Sequence, residues 1–107
     1  MRFLIRVTLE ENQMEIVGEA DNAYEAIRLA KELQPSLVIL DHVIEGPIMG
    51  LEAAHFIKEA CPTAKILMFS AHPISMEASQ ESAVDAFVSK ADFDSLVPTA
   101  RGLLALP

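Results

Sequence analysis

The run Leu37-Val38-Ile39-Leu40-Asp41 decides the fold. Four apolar residues with no polar alternation mark a strand covered on both faces, and Asp41 follows the run at once. Working outward, Asn22 opens a helix with Glu25 at capping-box spacing. Ala23, Ala26, Ile27, Ala30 and Leu33 recur at helical spacing, and Pro35 ends that helix. Beyond Asp41, a loop with Gly46 and Pro47 leads to a helix from Leu51 to about Ala60, closed by Cys61-Pro62. Ile66-Leu67-Met68-Phe69 is a second run of the same kind. Ser70 to Pro73 reads as a loop, and Ile74 to about Ser82 as a more polar helix. Val84 to Val88 reads as a third strand ending near Lys90. The last helix spans about Ser95 to Leu104, with Asp94 as its N-cap and Pro98 within the first turn, where a missing N–H costs little. Ahead of all this, Met14 to Val17 is a short apolar run closing on Gly18. Strands alternating with helices imply βαβ units and a parallel sheet.

The 107 residues, 51% hydrophobic and 22% charged, bound the answer to one domain, residues 1–107, with a real core. The apolar fraction excludes disorder. A formal net charge of -8 argues against direct contact with nucleic acid, whose phosphates need a basic face. No apolar run approaches the ~20 residues that span a bilayer. Arg6 interrupts the N-terminal apolar stretch too early for a signal peptide. Cys61 is the single cysteine, which excludes an internal disulfide and suits a reducing cytoplasm.

In a parallel sheet the strand carboxyl ends share one edge, and ligands of open α/β folds bind there. Asp41, Ser70 and Lys90 each follow or end an apolar strand, so a carboxylate, a hydroxyl and an ammonium become neighbours. Each has a plain alternative: an Asx turn for Asp41, a turn cap for Ser70, a solvated terminus for Lys90. At three successive strand ends they favour a phosphoryl site. The carboxylate is then the nucleophile, and the other two groups hold the oxygens of what it accepts.

These residues resemble the receiver domain of two-component response regulators. The resemblance rests on Leu37–Asp41 with Gly50-Leu51-Glu52 behind it, on Ile66–Ala71, and on Ala86-Phe87-Val88-Ser89-Lys90. Glu15 to Ala20 resembles the second strand of such domains. It implies a flavodoxin-like open parallel sheet with helices on both faces. It implies Asp41 as phosphoacceptor, Ser70 as the hydroxyl that moves to the phosphoryl group, Lys90 as its charge partner and Phe87 as the aromatic switch. A packed core residue remains the alternative for Phe87. The expected donor is a histidine kinase or phosphotransfer protein, and the expected cofactor is Mg2+, held by Asp41 and the backbone carbonyl of Val43. A homodimer is the expected assembly.

Three departures qualify the resemblance. The family's first strand ends in an acidic pair that helps hold Mg2+, and this chain shows neither strand nor pair. Met1 to Gln13 aligns instead with the family's first helix, which places the first strand upstream of Met1 and weakens the expected metal site. The loop after Asp41 is one residue longer than usual, and Ala91 stands where many members have proline. In the family's strand order, 2-1-3-4-5, the absent strand leaves two edges facing a vacant slot. Periodicity opposes the helix, because Met1, Phe3, Ile5, Val7 and Leu9 alternate with mostly polar residues. A strand there would need a parallel crossover through four residues, which is too short. The expectation is therefore a helix.

Two further function classes stay open. Without the acidic pair the domain is expected to serve as a phosphorylation-independent interaction or dimerisation module. A flavodoxin-like small-molecule binder is the outsider, with no Gly-rich phosphate loop to support it. His42, His55 and His72 lack metal-ligand spacing and read as surface or turn residues. Cys61 reads as a packing residue.

Overall fold

A computed structural model of the chain describes residues 2–41, 48–71 and 82–105. His42, Val43, Pro47, His72 and the helix expected from Ile74 lie outside the described residues.

The N-terminal segment is helix α1, Arg2–Glu11. The helix wins over the alternating pattern because it places Ile5 and Leu9 one turn apart on one face. Leu9 is 4% exposed and packs in a core cluster with Met14, Phe69, Leu96 and Ala100. A strand would have turned Arg6 and Thr8 onto a sheet face instead.

Helix α2 covers Ala23–Leu33, and Asn22 caps it as expected, its Oδ1 accepting from the Glu25 N–H at 2.9 Å. Gln34, in the left-handed region at φ 47, ends the helix, and its side-chain amide donates to the Ala30, Lys31 and Ala60 carbonyls. Strand β1 is Leu37–Leu40, and helix α3 is Gly50–Ala60. Cys61 ends α3 fully buried, and Lys65–Ser70 form β2. Strand β3 is Ala86–Ser89. Helix α4, Leu96–Leu104, follows a 3-10 turn over Phe93–Ser95. The expected Asp94 cap is not formed. Ser95 occupies the cap position without a side-chain cap bond, because its Oγ donates to Asp92 at 2.5 Å.

The sheet is parallel, in the order β1-β2-β3, with Leu40 beside Met68 and Ser70 beside Ser89. Alternate side chains of β2 go to opposite faces. Ile66 and Met68 join α2 and α3 in one cluster; Leu67 and Phe69 join α1 and α4 in the other. Helices therefore cover both faces of the sheet. Among the described residues no helix is long and apolar enough to cross a membrane.

Met14 to Val17 is not a strand; residues 14–20 carry no strand assignment. Strands need a hydrogen-bonding neighbour, and a groove of about 1230 Å³ separates this segment from β1. The same groove corrects the expectation that residues 37–40 are buried on both sides. Leu37, Val38 and Ile39 are only half-buried, whereas Ile66 and Leu67, the β2 partners of Val38 and Ile39, are fully buried.

At the amino-terminal edge of the sheet, the Asp85 carboxylate accepts from the Ile66 N–H at 2.8 Å and pairs with the Lys58 ammonium at 3.0 Å. Partial burial pushes its carboxyl up. The Ile66 N–H and the charges of Lys58 and Lys65 outweigh that and hold it below the ordinary carboxylate value. A depressed folded pKa stabilises above the unfolded pKa, and the stabilisation is lost as pH falls through the folded one. Asp85→Asn is expected to cost about 1 kcal/mol at pH 7. Urea unfolding should show the difference from the parent shrinking below roughly pH 4. Asn22→Ala should cost about 1 kcal/mol at any pH in that range, measured the same way, because the cap bond carries no titrating group.

Candidate functional site

Each of three polar side chains owes its place to an apolar strand. Asp41 is the first residue after β1, Ser70 is the last of β2, and Lys90 is the first after β3. Parallel pairing aligns these ends on one edge. The Lys90 N–H donates to the Ser70 carbonyl at 3.0 Å, which carries the turn after β3 back against the end of β2.

From there the Lys90 ammonium donates to the Asp41 carboxylate across the sheet end, an ion pair with both side chains about a quarter exposed, 26% and 29%. That exposure leaves the carboxylate reachable by a solute, while the cation beside it offsets its charge. Ser70 is 1% exposed and is the buried polar residue nearest this edge in the register. Ser89 Oγ accepts from the Ala91 N–H at 3.1 Å, closing the turn that holds Lys90.

Phe87 lies on β3 beside Met68 and is half-buried against the cluster made with α2 and α3. Val43 lies outside the described residues. His55 is exposed on α3. Among the described residues there is no cluster of three or more His, Cys, Asp or Glu side chains suited to a metal. Mg2+ commonly binds through one or two carboxylates, with waters and substrate phosphate completing its shell. Asp41 supplies one such carboxylate among the described residues.

Two ion pairs have no signal in the sequence. Arg6 of α1 reaches Glu19 at 2.7 Å and ties the helix to the segment after it. Lys58 and Asp85 meet only because α3 folds back along β2. Both involve residues distant in the chain.

Comparison with known proteins agrees with this geometry. The family model described as the response regulator receiver domain matches residues 1–101. The chemotaxis protein CheY of Halobacterium salinarum is 42% identical over 87 residues, covering 80% of this chain and 68% of that protein. The virulence-factor transcription regulator BvgA of Bordetella pertussis is 29% identical over 108 residues, covering 98% of this chain. The chain spans about half the length of BvgA, 51%. Among solved structures, a LuxR-family two-component response regulator from Aurantimonas sp. superposes with a TM-score of 0.88 at 33% identity, over 97% of this chain and 76% of that one. The response regulator TrrA of Thermotoga maritima, solved in complex with Mg(2+)-BeF, gives a TM-score of 0.83 at 33% identity, over 95% of this chain and 88% of that one. The sheet order, the strand-end residues and these matches together establish that the chain belongs to the receiver domain family of two-component response regulators.

Proposed function

We propose that this receiver domain is switched by phosphorylation of Asp41. The carrying observation is the ion pair of Asp41 with Lys90 at the carboxyl edge of the sheet, with Ser70 at the neighbouring strand end. A carboxylate oxygen attacks phosphorus in line. An O–P bond forms as the bond from phosphorus to the donor's histidine nitrogen breaks, and the electron pair leaves with that nitrogen. The donor is a histidine kinase or a phosphotransfer protein. Lys90 stays beside the new acyl phosphate and holds an equatorial oxygen. Ser70 supplies a hydroxyl to a second oxygen. Asp41 and the Val43 carbonyl would hold Mg2+, which would supply charge neutralisation at the transferring group.

The phosphate adds about -1.5 to -2 charge at the sheet edge. Ser70 moves toward it, and Phe87 repacks on β3 within the cluster it shares with α2 and α3. The reading places the domain in the cytoplasm, where Cys61 stays reduced. Its partners are proteins rather than nucleic acid, given the charge of -8. A homodimer is the matching assembly, and light scattering at micromolar concentration reads it.

Incubation with acetyl phosphate and Mg2+ should add one adduct of roughly 80 Da by intact mass. Asp41→Asn should remove the adduct. Absence of any adduct on the parent chain leaves the phosphorylation-independent interaction module as the correct reading. Lys90→Ala should slow adduct formation by about 10²-fold, because one charged donor to the transferring group is lost.

A further inference from the structure

Lys90 has to reach across the sheet. Asp41 follows β1 and Lys90 follows β3, and β2 lies between these two strands. Two strand spacings separate their backbones by about 10 Å. The flexible four-carbon stem of Lys90 and the short side chain of Asp41 close that distance between them. Little length is spare. The ammonium stays on the carboxylate only if the backbone at residue 90 is itself fixed.

Three hydrogen bonds fix it. The Lys90 N–H donates to the Ser70 carbonyl at 3.0 Å, just past the last paired residues of β2 and β3. The Asp92 N–H donates to the Ser89 carbonyl at 2.9 Å, which closes a β-turn over residues 89–92 with Lys90 at its second position. The Ala91 N–H donates to Ser89 Oγ at 3.1 Å. The first two bonds join backbone groups and ask nothing of the side chains. The third needs an acceptor on the side chain of residue 89, two positions before its donor, which is the hydroxyl turn that serine and threonine form. It also needs an N–H at residue 91, which alanine has and proline lacks. Among the described residues the Ser89 hydroxyl makes this bond alone. Residue 89 is therefore the one place where a side chain, rather than the ladder, secures the turn that carries Lys90.

We propose that Ser89 is a positioning residue for Lys90: its hydroxyl locks the turn after β3 and so holds the ammonium on Asp41. The effect on phosphoryl transfer rests on the phosphoacceptor reading above and passes through Lys90. The effect on the ion pair does not depend on that reading. One neutral hydrogen bond of this kind corresponds to about a 5-fold change in the population of the locked turn.

The test uses the full 107-residue chain and a matched pair of variants. Ser89→Thr keeps the hydroxyl, whereas Ser89→Val has the same branching without it. The first readout is the rate of reductive methylation of each lysine, followed by peptide mass mapping, with neither phosphate donor nor metal present. Lys58 is the internal control, because it sits in the ion pair with Asp85 at the opposite edge of the sheet. Ser89→Val should label about 5-fold faster at Lys90 and unchanged at Lys58. Ser89→Thr should label like the parent at both. The second readout is the rate of the acetyl phosphate adduct, expected to fall about 5-fold in Ser89→Val, to stay parental in Ser89→Thr, and to be unaffected by Ser89→Val in a Lys90→Ala background. Should the valine variant lose the parent's circular dichroism, Ser89→Ala removes the hydroxyl without the branch and takes its place. Equal Lys90 labelling with and without the hydroxyl overturns the proposal. So does faster labelling at Lys58 as well, which would mean general loosening, or a further slowing of the adduct in the Lys90→Ala background. If the parent chain forms no adduct, the phosphoacceptor reading falls, and the labelling ratio still decides the role of Ser89.

Discussion

Parallel pairing of β2 with both its neighbours is the constraint on which the rest depends. β2 is buried on both faces, and its register sets where β1 and β3 end. Sliding either neighbour by one residue would turn its apolar side chains to the wrong layer. The same register puts the carboxylate after β1 within reach of the ammonium after β3. The site is thus a by-product of core packing: the residues that bury the sheet are not those that do the chemistry, but they fix the distance between those that do.

The two ends of the sheet use the same chemical pair for different purposes. At the amino-terminal edge, Lys58 and the Ile66 N–H together satisfy Asp85, which knits α3, β2 and β3. At the carboxyl edge, Lys90 partners Asp41. The first pair is held by a backbone donor as well as a charge, so its carboxylate is anchored. The second joins two strand-following residues at the edge where Asp41 phosphorylation is proposed.

The groove beside β1 is the price of this arrangement among the described residues. An apolar strand at a sheet edge, with its side chains half-buried, holds free energy that a neighbour would release. Residues 14–20 are kept at a distance by α1 and α2, so they do not collapse onto β1. The groove also opens toward Asp41 and Lys90, which line it at one end.

Much of this was legible in the residues themselves. Unbroken apolar runs at 37–40 and 66–69 announced parallel strands, because a strand covered by helices on both faces can dispense with polar alternation; 66–69 is fully buried and 37–39 half-buried. Asn22 with Glu25, and Pro35 after Leu33, marked the limits of α2 through local hydrogen bonding and a missing N–H, which act within a few residues. The strand-end positions of Asp41, Ser70 and Lys90 followed from the same runs. Tertiary structure alone decided what depends on distant partners. Residues 2–11 alternate like a strand, yet form α1, because Ile5 and Leu9 have a helical face to bury against Phe69 and Leu96. Met14 to Val17 has the composition of a strand but no adjacent edge to bond, so it stays outside the sheet. Asp94 has the chemistry of a cap, but it lies inside the 3-10 turn over Phe93–Ser95 rather than at the boundary of α4. Periodicity and propensity are properties of a segment. Pairing, burial and the meeting of Lys58 with Asp85 are properties of two segments at once, and only the folded chain brings them together.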